Sequence, residues 1–119
     1  MIKSYEELIV WQKSMDLVEV VYKLVRKLPN TELYALSDQL RRAVVSIPSN
    51  IAEGQIRSTT KDFVRFLSIA NGSRAEVETQ LKICCRIGYL SMNDIKEALV
   101  LCEEVGRMIN VLVSKLSNR

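Results

Sequence analysis

Thiols and carboxylates are the groups in this chain that could do chemistry, because the sequence contains no histidine. Without an imidazole there is no usual general base, no common zinc ligand and no Ser–His or Cys–His nucleophile pair. Cys84, Cys85 and Cys102 are an odd set of thiols and a poor disulfide framework, and only three thiols are too few for a typical structural zinc site. We therefore expect free, buried thiols, no catalytic residue, no metal site and no cofactor.

Polar side chains occupy the middle of a helical row in the third predicted helix, between apolar ends. They could form a solvent-facing patch in which Arg74 and Glu78 pair four residues apart. Alternatively, they form a buried polar network that reaches the second helix and fixes register or partner choice. The sequence leaves both interpretations open. The candidate members of this network, or of an assembly contact, are Asn50, Glu53, Ser73, Arg74 and Glu76, with Arg42 as an alternative contact.

Basic residues recur at helical spacing around the second and third helices. Arg41 and Arg42 are adjacent, and Arg57, Lys61 and Arg65 are spaced by four, so that the last three could line one stripe. Ordinary solvated charge is the simpler interpretation, because charged residues cover most protein surfaces. The functional alternative is that all five contact RNA phosphates and displace counterions. No aromatic residue interleaves with the stripe at this spacing, so base stacking is not implied.

Four long helices must position these residues, because apolar residues recur at intervals of three and four while glycine and proline are scarce. Short connections between long helices predict an all-α, up-down-up-down antiparallel four-helix bundle, with residues 1–119 forming a single domain. The predicted helix starts are Ser4, Asn30 or Thr31, Thr59 and Ser91, and the predicted ends are Pro29, Gly54 and Gly88.

Proline interrupts the second predicted helix. Pro48 falls inside its apolar row, where it removes one backbone donor and should kink the helix near Val44. We expect one bent helix, with two shorter helices as the alternative. The predicted buried row of this helix is Leu33, Leu36, Leu40, Val44, Ile47 and Ile51.

The first helix carries more apolar surface than one bundle needs. Core-facing helices require about three apolar positions in seven, and this helix has two full apolar rows. Excess apolar surface often marks an interface, so we expect a homo-oligomer in which this helix contributes to the contact. Deep burial within one protomer is the alternative. The first row is Leu8, Trp11, Met15, Val18, Tyr22 and Val25, and the second is Val10, Leu17, Val21, Leu24 and Leu28.

The composition describes a small, mildly basic chain. It has 119 residues, with 17 basic and 14 acidic side chains, a net charge of +3 that permits a nucleic-acid partner without indicating one. The first residues lack the apolar run of a signal peptide, and no stretch approaches the ~20 apolar residues of a membrane span. We expect a cytoplasmic protein with neither a membrane partner nor a small-molecule substrate.

The second predicted helix carries the most recognisable sequence. Residues 39–43 (QLRRA) and 46–54 (SIPSNIAEG) resemble the signature of the four-helix-bundle family named for 23S rRNA intervening sequences. The Trp11–Gln12 pair, residues 70–73 (ANGS) with Glu76, and residues 88–90 (GYL) also resemble that family. The resemblance covers nearly the whole chain.

The family resemblance implies a compact four-helix protomer, a ring-shaped homopentamer and a link to RNA. A similar fold serves as the accessory protein of diversity-generating retroelements, where a basic pentamer is thought to bind nucleic acid. A pentamer of this chain would carry a charge of about +15, which would strengthen electrostatic steering. The signature positions that the resemblance implies are Arg41, Arg42, Asn50, Glu53, Ser73 and Glu76.

Three functions follow from these observations. The first is a non-enzymatic, homo-oligomeric module that associates with RNA or a ribonucleoprotein through its basic residues. The second is a protein–protein interaction scaffold with no nucleic-acid role. The third and weakest is an enzyme whose site lies at a subunit junction and uses Glu53, Arg74 and Glu76.

Overall fold

Four helices account for most of residues 4–118, the part of the chain that the structure, a computed structural model, describes. No strand occurs in this part, so the predicted all-α class is confirmed. Two short 3-10 helices, Tyr5–Glu7 and Asn30–Glu32, precede the first and second α-helices. The α-helices are α1 (Ile9–Val25), α2 (Leu36–Gln55), α3 (Thr60–Arg86) and α4 (Met92–Ser117).

Helices α3 and α4 begin where their capping residues predict. The Thr59 hydroxyl accepts a hydrogen bond from the Asp62 backbone N–H at 3.1 Å. Ser91 and Asp94 form a reciprocal capping box, with distances of 3.0 and 2.9 Å. The backbone hydrogen bond from Ser91, followed by the one from Lys27, lowers the pKa of the Asp94 carboxyl below its ordinary value. Gly88 follows α3 with φ of +87°, a left-handed conformation that glycine adopts without steric cost.

Helices α1 and α2 begin later than the sequence predicts. The Ser4 hydroxyl caps the first 3-10 helix by accepting from the Glu6 N–H at 3.1 Å, and α1 begins only at Ile9. The prediction that α2 begins at Asn30 or Thr31 is also wrong, because those residues form a separate 3-10 helix and α2 begins at Leu36. Leu33 therefore lies outside α2 and is 43% exposed, whereas its row predicted burial.

Within the protomer, every α-helix packs against two others. Each packs against its neighbours in sequence, and α1 also packs against α4. Lys13 pairs with Glu104 at 3.1 Å and Lys27 pairs with Asp94 at 3.1 Å, so residue numbers rise along α1 as they fall along α4. These two helices are therefore antiparallel, as a bundle with short links requires.

The core is built from the predicted rows, with one informative exception on α1. The second row of α1 is buried, whereas Met15 of the first row is 39% exposed and Trp11 and Val18 are only partly buried. Leu8 and Val25 at the ends of the first row are buried, so only its middle, from Trp11 to Tyr22, lies at the edge of the protomer. The largest fully buried side chains are Leu17, Val21, Leu40, Val44, Ile47, Ile51, Leu67, Val77, Leu81, Ile95, Val105 and Ile109.

Helix α2 continues through Pro48 to Gln55, so the alternative of two shorter helices is wrong. The kink near Val44 stays a prediction. At the end of α2, the lack of a side chain on Gly54 lets α3 approach closely. A Cβ at Gly54 would lie 2.6 Å from the Phe66 Cβ and 3.0 Å from the Phe63 Cδ1, which is closer than carbon atoms pack.

Candidate functional site

A small, partly buried polar network joins α2 to α3. The Ser46 and Ser73 hydroxyls are hydrogen-bonded at 2.8 Å. The Asn50 amide donates to the Ser46 carbonyl at 2.8 Å and to the Ser46 hydroxyl at 2.9 Å. Because Ser73 is buried, these bonds satisfy polar groups that would otherwise destabilise the fold. The network thus joins the sequence candidates Asn50 and Ser73 through Ser46, which lies in the recognised segment but is not among the residues that the sequence singled out.

The other predicted network members make none of these hydrogen bonds. Glu53 faces Arg57, with 3.7 Å between the carboxylate and the guanidinium. Glu76 is exposed and lines an open groove of about 320 Å³ between α2 and α3, together with Arg42 and Ser73. Phe66, near the start of α3, packs against Gly54, so Glu53 also lies near the start of α3. Glu76 lies ~15 Å further along α3 than Phe66.

Arg74 belongs to the α3–α4 side of the bundle. Its Nη1 donates to the Glu78 carboxylate at 2.8 Å, while Nε and Nη2 donate to the Asn71 amide oxygen at 3.1 and 2.9 Å. The Arg74–Glu78 pair predicted for a solvent-facing patch therefore forms, but the Arg74 side chain is only 20% exposed. A Cβ at Gly106 of α4 would lie 3.0 Å from the Arg74 Nε. Hence Glu53, Arg74 and Glu76 do not meet within the protomer.

The basic stripe, defined as Arg57, Lys61 and Arg65, is organised around an aromatic ring. The guanidinium carbons of Arg57 and Arg65 lie 4.8 and 4.5 Å from the centre of the Phe66 ring, within the range of cation–π contacts. Lys61 is exposed in the first turn of α3. The expectation that no aromatic interleaves with the stripe is wrong, because the turn between α2 and α3 folds Arg57 back onto Phe66.

Carboxylates balance part of the charge of the stripe. Arg57 pairs with Glu53 at 3.7 Å, and Arg65 pairs with Asp62 at 3.8 Å. Both pairs are exposed, and exposed pairs typically contribute under about 1 kcal/mol, so phosphate groups can exchange for the carboxylates. Lys61 has no ion pair within residues 4–118.

The two arginines of α2 have different environments and lie toward its other end. The Arg41 Nη2 donates to the Leu33 carbonyl at 3.2 Å, so this side chain holds the turn before α2. The Arg42 Nε donates to the Asp38 carboxylate at 3.0 Å, and the Arg42 side chain is 81% exposed. The structure therefore does not bring Arg41 and Arg42 into the basic stripe.

An apolar groove runs between α1 and α2 and has a volume of about 330 Å³. The rings of Tyr5 and Trp11 meet edge to face at its wall, with centroids 5.4 Å apart. Val45, on the α2 side, is 41% exposed. The groove is lined by Tyr5, Trp11, Met15, Val18, Val45, Pro48, Ser49 and Ala52.

None of the three thiols is disulfide-bonded, and Cys84 and Cys102 are buried as expected, whereas the expected burial is wrong for Cys85, which is partly exposed. Burial raises the pKa of Cys84 to about 11 and that of Cys102 to about 12. A thiol with so high a pKa is neutral at physiological pH and is a poor nucleophile. No group of three or more residues with metal-binding side chains occurs in the described part of the chain. Within the same residues, no helix is long and apolar enough for a membrane span.

Comparison with known proteins identifies relatives of this fold. The family model described as 23S rRNA-intervening sequence protein matches residues 6–111. A crystal structure of a protein of unknown function from Bacteroides thetaiotaomicron, assigned to the S23 ribosomal protein family, superposes with a TM-score of 0.81. The two sequences are 24% identical, and the match covers 88% of this chain and 98% of the other. No curated protein matches significantly.

Proposed function

Because the chain belongs to the family of 23S rRNA-intervening sequence proteins, we propose that it is a homo-oligomeric, non-enzymatic module that binds RNA in the cytoplasm. The observation that carries this proposal is the arrangement of Arg57, Lys61 and Arg65 around the Phe66 ring. The family name refers to ribosomal RNA, which makes RNA the polyanion to consider first. The separation of Glu53 from Glu76 and the lack of histidine support a binding function over catalysis.

The basic stripe suits contacts with an RNA backbone. The Phe66 ring holds two guanidinium groups in defined positions, so less side-chain entropy is lost when they bind phosphate. Between them in sequence, Lys61 adds a cation that no carboxylate of residues 4–118 pairs with. Such contacts release counterions, so binding weakens steeply with salt. Phe66 is only partly exposed and is covered by arginines, so the stripe recognises phosphates in preference to bases.

Assembly would multiply this charge. The apolar groove between α1 and α2 exposes Met15 and Val45, which a neighbouring protomer can cover. Ile83 on α3 and Ile87 directly after it are exposed in a different part of the bundle and offer an apolar counterpart. A contact between two different surfaces repeats around a ring when the rotation closes. The pentamer that the family resemblance implies is a ring of this kind.

Charge placed in the groove tests the assembly. We expect Met15→Glu to reduce the molar mass in solution toward that of the protomer, because a carboxylate cannot be buried unpaired at an apolar contact. Met92→Glu is the matched control, since Met92 is an exposed methionine away from the groove and should leave the mass unchanged. Light scattering after size-exclusion chromatography measures both. Equal masses for the two variants and the wild type would show that the groove between α1 and α2 is not part of the contact between protomers.

Charge reversal in the stripe tests RNA binding. Lys61→Glu breaks no ion pair of the described residues, and Lys96→Glu on α4 makes the same charge change at another exposed lysine. We expect Lys61→Glu to weaken binding of labelled single-stranded RNA and to lower the salt slope by ~0.7 for each phosphate that the side chain no longer neutralises. The Lys96→Glu variant should bind like the wild type. If both variants bind alike, RNA does not touch the stripe.

A protein–protein scaffold is the second candidate function. It is favoured by the carboxylates that already pair with Arg57 and Arg65, because a surface with matched charges attracts polyanions less strongly. Reversing all three charges of the stripe separates the candidates. It should abolish RNA binding under the first proposal, whereas under the scaffold proposal the wild type itself binds no RNA at about 50 mM salt.

A further inference from the structure

A third groove, between α3 and α4, has a volume of about 670 Å³. Its lining brings together three basic side chains, Arg74, Arg107 and Lys115, from two helices. Gly106 forms part of its floor, and a side chain there would press against the Arg74 guanidinium, at 3.0 Å from Nε. The groove is thus shaped by a glycine and carries positive charge on both walls.

Arg74 is held in place and keeps donors free. An arginine has five N–H donors, and three hydrogen bonds, to Asn71 and Glu78, use one each on Nε, Nη1 and Nη2. One N–H on each terminal nitrogen therefore remains for a ligand. Because the side chain is already fixed, binding an anion costs little further conformational entropy.

The cations of α4 are less neutralised than those of the basic stripe. Neither Arg107 nor Lys115 makes an ion pair within residues 4–118, whereas Arg57 and Arg65 each face a carboxylate. Two carboxylates, Glu78 and Glu103, also line the groove. The Glu78 carboxylate forms ion pairs with Arg74 at 2.8 Å and with Lys82 at 3.7 Å, so two cations neutralise its charge.

Neutral donors lie between the cations. Asn110 and Ser114 line the groove on α4, spaced so that they share the helix face of Arg107. From Gly106 to Lys115 this face extends ~13 Å, which is longer than a single phosphate group. Charge-assisted hydrogen bonds to phosphate are about twice as strong as neutral ones, and arginine forks match phosphate oxygens.

We propose that the α3–α4 groove binds a run of consecutive phosphate groups, held by Arg74, Arg107 and Lys115 with Asn110 and Ser114 as neutral donors. Such phosphates could belong to an RNA strand or to a free polyphosphate. The site shares no residue with the basic stripe, so groove variants and stripe variants test it and the proposed function separately.

The test compares two double variants with the same charge change. Arg107→Glu with Lys115→Glu alters the groove, and Lys23→Glu with Lys96→Glu alters exposed lysines outside it. The probes are fluorescein-labelled single-stranded RNA of about 20 nucleotides, by anisotropy, and inorganic tripolyphosphate, by calorimetry, both at about 50 mM salt. We expect the groove variant to bind about tenfold more weakly or worse and its salt slope for RNA to fall by ~1.4, while the control stays within about twofold of the wild type.

The outcomes decide both the site and the source of the phosphates. Loss of RNA binding assigns the groove to an RNA strand, and loss of tripolyphosphate binding alone assigns it to a free polyphosphate. The double variant Arg107→Gln with Lys115→Gln introduces no carboxylate and should show an intermediate loss of affinity. It controls for misfolding caused by the new carboxylates of the first variant. Equal affinities of groove and control variants, or no binding of either probe to the wild type, would overturn the proposal. Changes confined to stripe variants would overturn it too, while leaving the proposed function intact.

Discussion

Replacing Gly54 with alanine tests the close approach of α2 and α3. Alanine gains about 1 kcal/mol over glycine in a helix interior. The added Cβ would lie 2.6 Å from the Phe66 Cβ, an atom fixed to the backbone of α3 that cannot rotate away. Overpacking of this kind costs about 1–3 kcal/mol, and the fixed position of the atom favours the upper end. We therefore expect a net loss of about 2 kcal/mol in the free energy of unfolding.

Gly72 is the matched control for Gly54. A Cβ there has no neighbour within 4 Å, so Gly72→Ala should raise the free energy of unfolding by about 1 kcal/mol. Urea denaturation followed by circular dichroism measures both variants at one protomer concentration, because assembly makes stability depend on concentration. The two should differ by about 3 kcal/mol. If Gly54→Ala proves as stable as Gly72→Ala, the close approach of the two helices is wrong.

Further predictions concern the ends of helices and the thiols. Ser91→Ala removes the N-cap of α4 and should lower the free energy of unfolding by ~1 kcal/mol in urea denaturation. Gly88→Ala places a Cβ at φ of +87° and should cost ~1–2 kcal/mol in the same assay, and an unchanged midpoint would contradict that backbone. The pKa values of Cys84 and Cys102 are about 11 and about 12 in the folded protein, against an ordinary 9.0. Their neutral thiols therefore stabilise the fold fully below pH 9.0, and this stabilisation is lost as the pH rises toward the pKa values of the folded protein. Stability should thus fall above pH 9.0, and the fall should be smaller in Cys102→Ala.

The sequence predicts the helices and their buried rows because those depend on local periodicity. Leu40, Val44 and Ile47 recur at helical spacing and are fully buried as expected. Leu33 continues the same spacing but is exposed, because the 3-10 helix after Pro29 ends the register before α2 begins. The periodic row cannot reveal this break, because Leu33 and Leu36 keep the helical spacing of three across it.

The candidate sites depend on contacts between helices, which the spacing does not contain. Phe66 meets Arg57 only because the chain turns back after α2 and α3 approaches α2 closely at Gly54. Arg74 faces α4 because Gly106 leaves room for its guanidinium, and an isolated glycine within a long helix was the signal available in the sequence. Ser46 could have been found from its place one turn before Asn50.

We propose both that protomers assemble and that the assembly binds RNA. Static light scattering of the purified protein, alone and with single-stranded RNA at low salt, measures both in one series. We predict a particle several times heavier than the 13.6 kDa chain, and a further increase in mass when RNA is added. A mass that stays at 13.6 kDa both with and without RNA would contradict assembly and RNA binding alike.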